Sequence, residues 1–161
     1  NNAGTVNYTS EGRQLLINDS TTFNNTGRFN FASDGVISET SGNGGNFNNR
    51  GTLAKTGGVG SSGFASQVRF NNLNGGTVDS GAGTINLQTQ GAHAGVFNIL
   101  GNGVQFNAGA HSFANGATIN GVLPRGYASY EIHSSRTEIE ARVYQINLPA
   151  GTSLAVTVNS T

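Results

Sequence analysis

The chain has no cysteine, no methionine, no tryptophan and only 2 prolines, and charged residues make up just 10% of it. Without cysteine there is neither a disulfide framework nor a thiolate metal site. Formal net charge is +0, and the basic residues, Lys55 and seven arginines, are scattered along the chain. No basic patch is left for nucleic acid or an anionic membrane surface. No run approaches the roughly 18 consecutive apolar residues of a membrane helix. No charged-then-apolar leader is seen either, so an exported chain would be read here as a mature form or a fragment.

What is abundant is glycine, 25 residues among 161, together with asparagine. Both lower helix propensity and favour tight turns. Disordered chains are poor in aromatic and β-branched residues, whereas 9 Phe and many Val, Ile and Leu recur here at regular intervals. Order built from short strands is expected.

Self-similarity is the main signal. Phe-Asn-Asn occurs at Phe23-Asn24-Asn25, Phe47-Asn48-Asn49 and Phe70-Asn71-Asn72, with starts 24 and then 23 residues apart. Each triplet is followed by a glycine and an alternating segment: Gly27-Arg28-Phe29-Asn30-Phe31, Gly51-Thr52-Leu53-Ala54-Lys55 and Gly76-Thr77-Val78-Asp79-Ser80. The apolar residue falls two places after the glycine each time. Further two-residue alternation is visible at Ile85-Asn86-Leu87, Phe97-Asn98-Ile99, Val104-Gln105-Phe106 and Thr118-Ile119-Asn120. Apolar members then point inward and Asn, Gln or Arg outward.

A unit of this length holding two or three short strands matches one coil of a parallel β-helix, whereas hairpins recur about every 8 to 12 residues. The pattern predicts about six coils stacked about 4.8 Å apart. Phe23, Phe47, Phe70 and Phe97, with Leu53 and Val78, form the expected core ladder. The Asn pairs are expected at turns, in left-handed conformation, bonding the amides above and below.

Phe47-Asn48-Asn49-Arg50-Gly51-Thr52-Leu53-Ala54-Lys55-Thr56-Gly57-Gly58 resembles the F-N-N-x-G-T-L-x-K-x-G-G unit of repetitive secreted bacterial proteins, those like filamentous haemagglutinin or autotransporter passengers. The resemblance extends over residues 4–122. It implies export to the cell surface or medium, a parallel β-solenoid, and roles in adhesion, biofilm matrix or extracellular fibres. Proteins of this kind usually carry many more repeats.

From Tyr127 glycine and asparagine thin out and charge rises, with Arg125, Glu131, Arg136, Glu138, Glu140 and Arg142. Three alternating segments, Tyr127 to His133, Thr137 to Asn147 and Ser153 to Asn159, suggest a short antiparallel meander. Such a segment caps the open end of a solenoid. The alternative is pairing with a neighbouring molecule, here or at the N-terminal strand, which makes a fibre if the contact does not close. The candidate assembly residues are Val6, Tyr8, Ile139, Val143, Leu154, Val156 and Val158.

Parallel β-helices also serve polysaccharide lyases and hydrolases, which need gathered carboxylates. The solenoid offers Glu11, Asp19, Asp34, Glu39 and Asp79, far apart and out of register, and Lys55 as its only lysine. His93 and His111 occupy matching Gly-Ala-His contexts and are expected to stack at a surface or turn. A metal site needs further ligands that the sequence does not supply. The glycine-rich pieces lack the lysine of a phosphate loop, and Gly75-Gly76-Thr77-Val78-Asp79 is a single imperfect calcium repeat. Tyr8, Tyr127, Tyr130 and Tyr144 are candidates for stacking on sugars.

The expected fold is therefore all-β, a right-handed parallel β-helix over 1–122 with a small C-terminal antiparallel β element over 123–161, a cap or inter-subunit connector. The expected role is non-catalytic and extracellular: an adhesive or matrix module that self-associates or meets other surface-matrix subunits, with a cell-surface polysaccharide as a further partner. No cofactor, nucleic acid or membrane span is expected. The alternative is a carbohydrate-binding module or a polysaccharide-degrading enzyme.

Overall fold

In the computed structural model the described residues are 1–9, 13–40, 42–65, 67–100, 103–122, 128–130, 144–146 and 153–157. Among them there is no helix. The chain winds through three short strands per turn. The first turn is β1 (Thr5–Tyr8), β2 (Gln14–Leu16) and β3 (Thr22–Asn25), and the second β4 (Arg28–Phe31), β5 (Val36–Ser38) and β6 (Asn46–Asn49). The third is β7 (Thr52–Lys55), β8 (Ser61–Phe64) and β9 (Arg69–Asn72), and the fourth β10 (Thr77–Ser80), β11 (Thr84–Gln88) and β12 (Gly91–His93). The fifth is β13 (Val96–Ile99), β14 (Val104–Ala108) and β15 (His111–Phe113), and β16 (Thr118–Val122) begins another. The solenoid thus has five complete turns and one further rung, close to the six coils expected from the repeat.

Three parallel sheets result. The first runs β1-β4-β7-β10-β13-β16, the second β2-β5-β8-β11-β14 and the third β3-β6-β9-β12-β15. β19 (Ser153–Thr157) lies antiparallel to β16, and β17 (Ala128–Tyr130) pairs antiparallel with β18 (Tyr144–Ile146).

Alternation decides what fills the interior. On the first sheet Val6, Phe29, Leu53, Val78, Phe97 and Ile119 are in mutual register, and all but the half-buried Val6 are core residues. On the third sheet Phe23, Phe47 and Phe70 align. The Phe23 and Phe47 rings stack at 4.9 Å and 13°, while Phe47 and Phe70 tilt to 43° at 6.0 Å. Phe47 and Phe70 are fully buried, and Phe23, on the terminal rung, is half-buried.

The corner after each Asn pair requires glycine. A Cβ on Gly51 would overlap the Gly27 carbonyl, and a Cβ on Gly27 the Gly4 carbonyl. Backbone therefore packs on backbone at this corner from rung to rung, an approach only glycine permits.

The Asn pairs differ from the expectation for turns. They are the last two residues of β3, β6 and β9, in extended backbone. Among the described residues only Asp19 and Ser20 are non-glycine positions with positive φ, 54° and 59°, in the turn between β2 and β3. Strand alternation then sends one Asn of each pair outward and the other inward.

Candidate functional site

The inward asparagines, Asn2, Asn25, Asn49 and Asn72, form a ladder inside the protein. Asn2 Nδ2 donates to Asn25 Oδ1 at 2.7 Å, Asn25 to Asn49 at 2.8 Å, and Asn49 to Asn72 at 2.9 Å. The second amide hydrogen of each goes to a carbonyl of the adjoining turn: Arg28 O, Thr52 O, Thr77 O and, for Asn72, Val96 O, all at 3.0 Å. Buried amides are tolerated only when satisfied, and these meet that condition with one repeated geometry.

The outward asparagines form a second ladder of opposite polarity. Asn24 donates to Asn1, Asn48 to Asn24 and Asn71 to Asn48, at 3.0, 3.1 and 2.9 Å. In the inner ladder each amide donates toward the C-terminal end, and in the outer one toward the N-terminal end.

Where the inner ladder stops, histidine replaces asparagine. His93 is in register with Asn72, and both His93 and His111 are buried. They meet on adjacent turns, but not at equivalent positions, because His111 aligns with Gly91 and His93 with Phe113. The space over Gly91 lets the two rings overlap at 5.2 Å and 16°. They point into the core, surrounded by Phe70, Phe97, Phe106 and Phe113, and not to the surface expected from the sequence.

The hydrogen bonds fix both tautomers. Asn72 N–H donates to His93 Nδ1 at 3.4 Å, so His93 carries its proton on Nε2, 2.9 Å from His111 Nδ1. His111 in turn donates from Nε2 to Ala108 O at 3.2 Å. Burial, and secondarily the neighbouring His111, push the His93 pKa down to about 3. Among the described residues no three His, Asp or Glu side chains gather in a metal-binding group.

Lys55 is the second buried polar feature. It shares the parity of Leu53, occupies the inward position held by Phe31 one turn earlier and Ser80 one turn later, and is 0% exposed. Its ammonium donates to Asp34 Oδ1 at 2.7 Å, Gly57 O at 2.8 Å and Ser62 Oγ at 3.0 Å. The Lys55 hydrogen bond holds the Asp34 carboxyl below its ordinary pKa. Asp34 is committed to Lys55, Glu39 accepts from Gly44 N at 2.8 Å, and Asp79 accepts from Asn98 Nδ2 at 2.8 Å. Glu11 lies outside the described residues.

Of the assembly candidates, Val6 and Tyr8 belong to β1, the terminal strand of the first sheet. Tyr8 is half-buried against Phe29 and Phe31, and its hydroxyl donates to Arg13 O. It is a packing residue and not an exposed platform for sugars. Burial raises its pKa. Gly4 O and Tyr8 O accept from Arg28 N and Ala32 N of the next turn. By alternation the backbone groups of Thr5 and Asn7 face the other way, toward an edge with no strand neighbour among the described residues. Leu154 and Val156 lie in β19, opposite Gly121 and Ile119. Ile139, Val143 and Val158 lie outside the described residues, as do Tyr127 and the side chains of Tyr130 and Tyr144.

The outer face of the third sheet carries a feature absent from the sequence reading. Two adjoining concavities of about 290 and 240 Å³ share Arg69 and Gln90. Residues 18 to 24 positions apart in sequence line them together, and only coil stacking brings these side by side.

No family model, curated protein or solved structure matches the chain.

Proposed function

We propose that this chain is a non-catalytic, extracellular structural module of a bacterial surface, a right-handed β-solenoid that joins further copies end to end through the edge of β1. The carrying observation is that edge. Among the described residues Thr5 and Asn7 face no neighbouring strand there, and strand edges template further strands.

On the same terminal rung, the side chains of Asn1 and Asn2 beside β3 favour another parallel rung. Asn1 Oδ1 is taken by Asn24, so its Nδ2 is the group left to donate outward. Asn2 directs its Nδ2 to Asn25 and Arg28 O, so the group it offers to a further rung is its Oδ1, which among the described residues accepts from Gly4 N at 3.1 Å. An incoming strand thus meets a donor on the outer face and an acceptor on the inner one. The antiparallel pairing of β19 with β16 supports a C-terminal cap over 123–161 at the other end of the first sheet.

The surface location rests on the resemblance of the repeat unit and on the lack of cysteine. The non-catalytic reading rests on the commitment of Asp34, Glu39 and Asp79 to structural bonds.

Sedimentation velocity over a concentration series, with electron microscopy of the same samples, tests the assembly. Wild type forms rods longer than one solenoid. Asn7→Pro, which removes an outward N–H from an edge strand where proline is tolerated, stays monomeric with an unchanged circular dichroism spectrum. Wild type that remains monomeric at every concentration contradicts the proposal.

A further inference from the structure

The groove on the third sheet goes beyond that reading. Its first lobe is lined by Ser20, Asn43, Asn46, Gln67, Arg69 and Gln90. The second continues past Arg69 and Gln90 along Asn71, Gly91, Ala92 and Ser112. Together they cross all five turns parallel to the solenoid axis, about 19 Å at a rung spacing of about 4.8 Å. A surface of this length and direction fits a linear polymer laid along the rod.

Its chemistry is that of a polyhydroxylated ligand. Side-chain amides and hydroxyls supply donors and acceptors in both lobes, and Ala92 and Ala110 add small apolar surface in the second. Glycine keeps the floor low: a Cβ on Gly91 would overlap the Phe70 carbonyl, and one on Gly44 the Gln67 carbonyl. Among the described residues Arg69 is the only charged residue lining either lobe. It is exposed, in the middle strand of its sheet. With its amide oxygen turned to the guanidinium, Gln90 accepts from Arg69 Nε at 3.1 Å and Nη2 at 3.2 Å. That bond holds the guanidinium plane by its Nε–Nη2 edge, and the Nη1–Nη2 end is the edge that can grip a carboxylate through two parallel hydrogen bonds. Glu39 is bonded to Gly44 N, a residue of the first lobe, and disfavours a second anion beside it.

We propose that this groove binds a linear carboxylated polysaccharide, a uronate seated on Arg69 and its neighbours along the amide-lined floor. Nucleic acid is a poorer occupant, because a regular row of phosphates requires several cations and the groove holds one. The groove occupies the face of the third sheet and not the edge of β1, so binding and self-association fail independently.

Isothermal titration of the full chain with oligogalacturonate, and with dextran of the same length, tests this. The uronate binds saturably and the neutral dextran does not. Arg69→Gln weakens uronate binding at least about tenfold, since a lost charge-assisted pair is worth that much. Arg28→Gln, which removes an exposed arginine from the first sheet, leaves it unchanged. Equal binding of uronate and dextran, an Arg69→Gln variant that binds like wild type, tighter binding of dextran sulfate than of the uronate, or no saturable binding of the uronate would each overturn the proposal. The Asn7→Pro variant, used as the titrated protein, binds like wild type, which separates this site from the assembly edge.

Discussion

His93 Nε2 lies 2.9 Å from His111 Nδ1 in a pocket of phenylalanine rings, with the proton on His93. The bond continues, in another chemistry, the inner asparagine ladder that ends one rung earlier at Asn72. His111 Nδ1 must stay unprotonated to accept this bond, and His93 Nδ1 must stay unprotonated to accept from Asn72 N–H.

This makes stability depend on pH in a defined window. The folded-state pKa of His93 is lowered to about 3, so between that value and the ordinary histidine range the unfolded chain binds a proton that the folded chain does not. Stability is complete above about pH 6.5 and falls as pH drops, by up to roughly 4 to 5 kcal/mol near pH 3. Urea unfolding at pH 7.5, 5.5 and 4 measures it. His93→Asn, which places an amide in register with Asn72, removes most of the slope. A slope that survives this substitution assigns the effect elsewhere.

The two asparagine ladders predict a contrast between neighbours. Asn49→Ala leaves Asn25 Nδ2 without its acceptor and deprives Asn72 Oδ1 and Thr77 O of donors inside the protein. At about 1 to 3 kcal/mol for a stranded buried group, with partial relaxation, the loss is about 2 to 4 kcal/mol. Asn48→Ala removes the same chemistry from the outer face, where water replaces it, and costs less than about 1 kcal/mol. Equal losses in chemical denaturation would remove the distinction between inner and outer ladders.

Phe47→Ala deletes a fully buried ring between two others and costs about 3 to 5 kcal/mol. Phe23→Ala, on a half-buried terminal rung, costs less. Thermal unfolding of both variants decides it, and a loss below about 1 kcal/mol for Phe47→Ala would show that the ring is not part of the core.

Lys55 and Asp34 are not equivalent partners. Asp34 is 39% exposed and Lys55 is not exposed at all. Asp34→Ala strands a buried ammonium and costs about 3 to 5 kcal/mol. Lys55→Met leaves a carboxylate that water reaches and no buried charge, so it costs clearly less. Denaturant midpoints of the two single variants give the order directly, and the reverse order would contradict this reading of the pair.

The rod was legible in the sequence because the repeat and the two-residue alternation are both local. Phe29, Leu53 and Val78, each two places after a glycine, identified one inner face. The same parity applied to Phe47 and Leu53 places Asn49 and Lys55 inside, but the rule that polar residues face outward opposes it. Complete hydrogen bonding inside resolves the conflict. The His93–His111 pairing was half legible: the shared Gly-Ala-His context points to adjacent turns, but the two-residue offset depends on space over Gly91. The Arg69–Gln90 groove left no local trace, since its residues meet only through stacking of turns with unequal lengths.

Hydrogen exchange at the Thr5 and Asn7 amides tests the central claim, growth through the β1 edge, most directly. In dilute protein both exchange fast, while Ala32 N, bonded to Tyr8 O within one chain, is protected. Raising the concentration into the assembling range protects Thr5 and Asn7 and leaves Ala32 unchanged. Fast exchange at both amides in fully assembled protein would contradict the account.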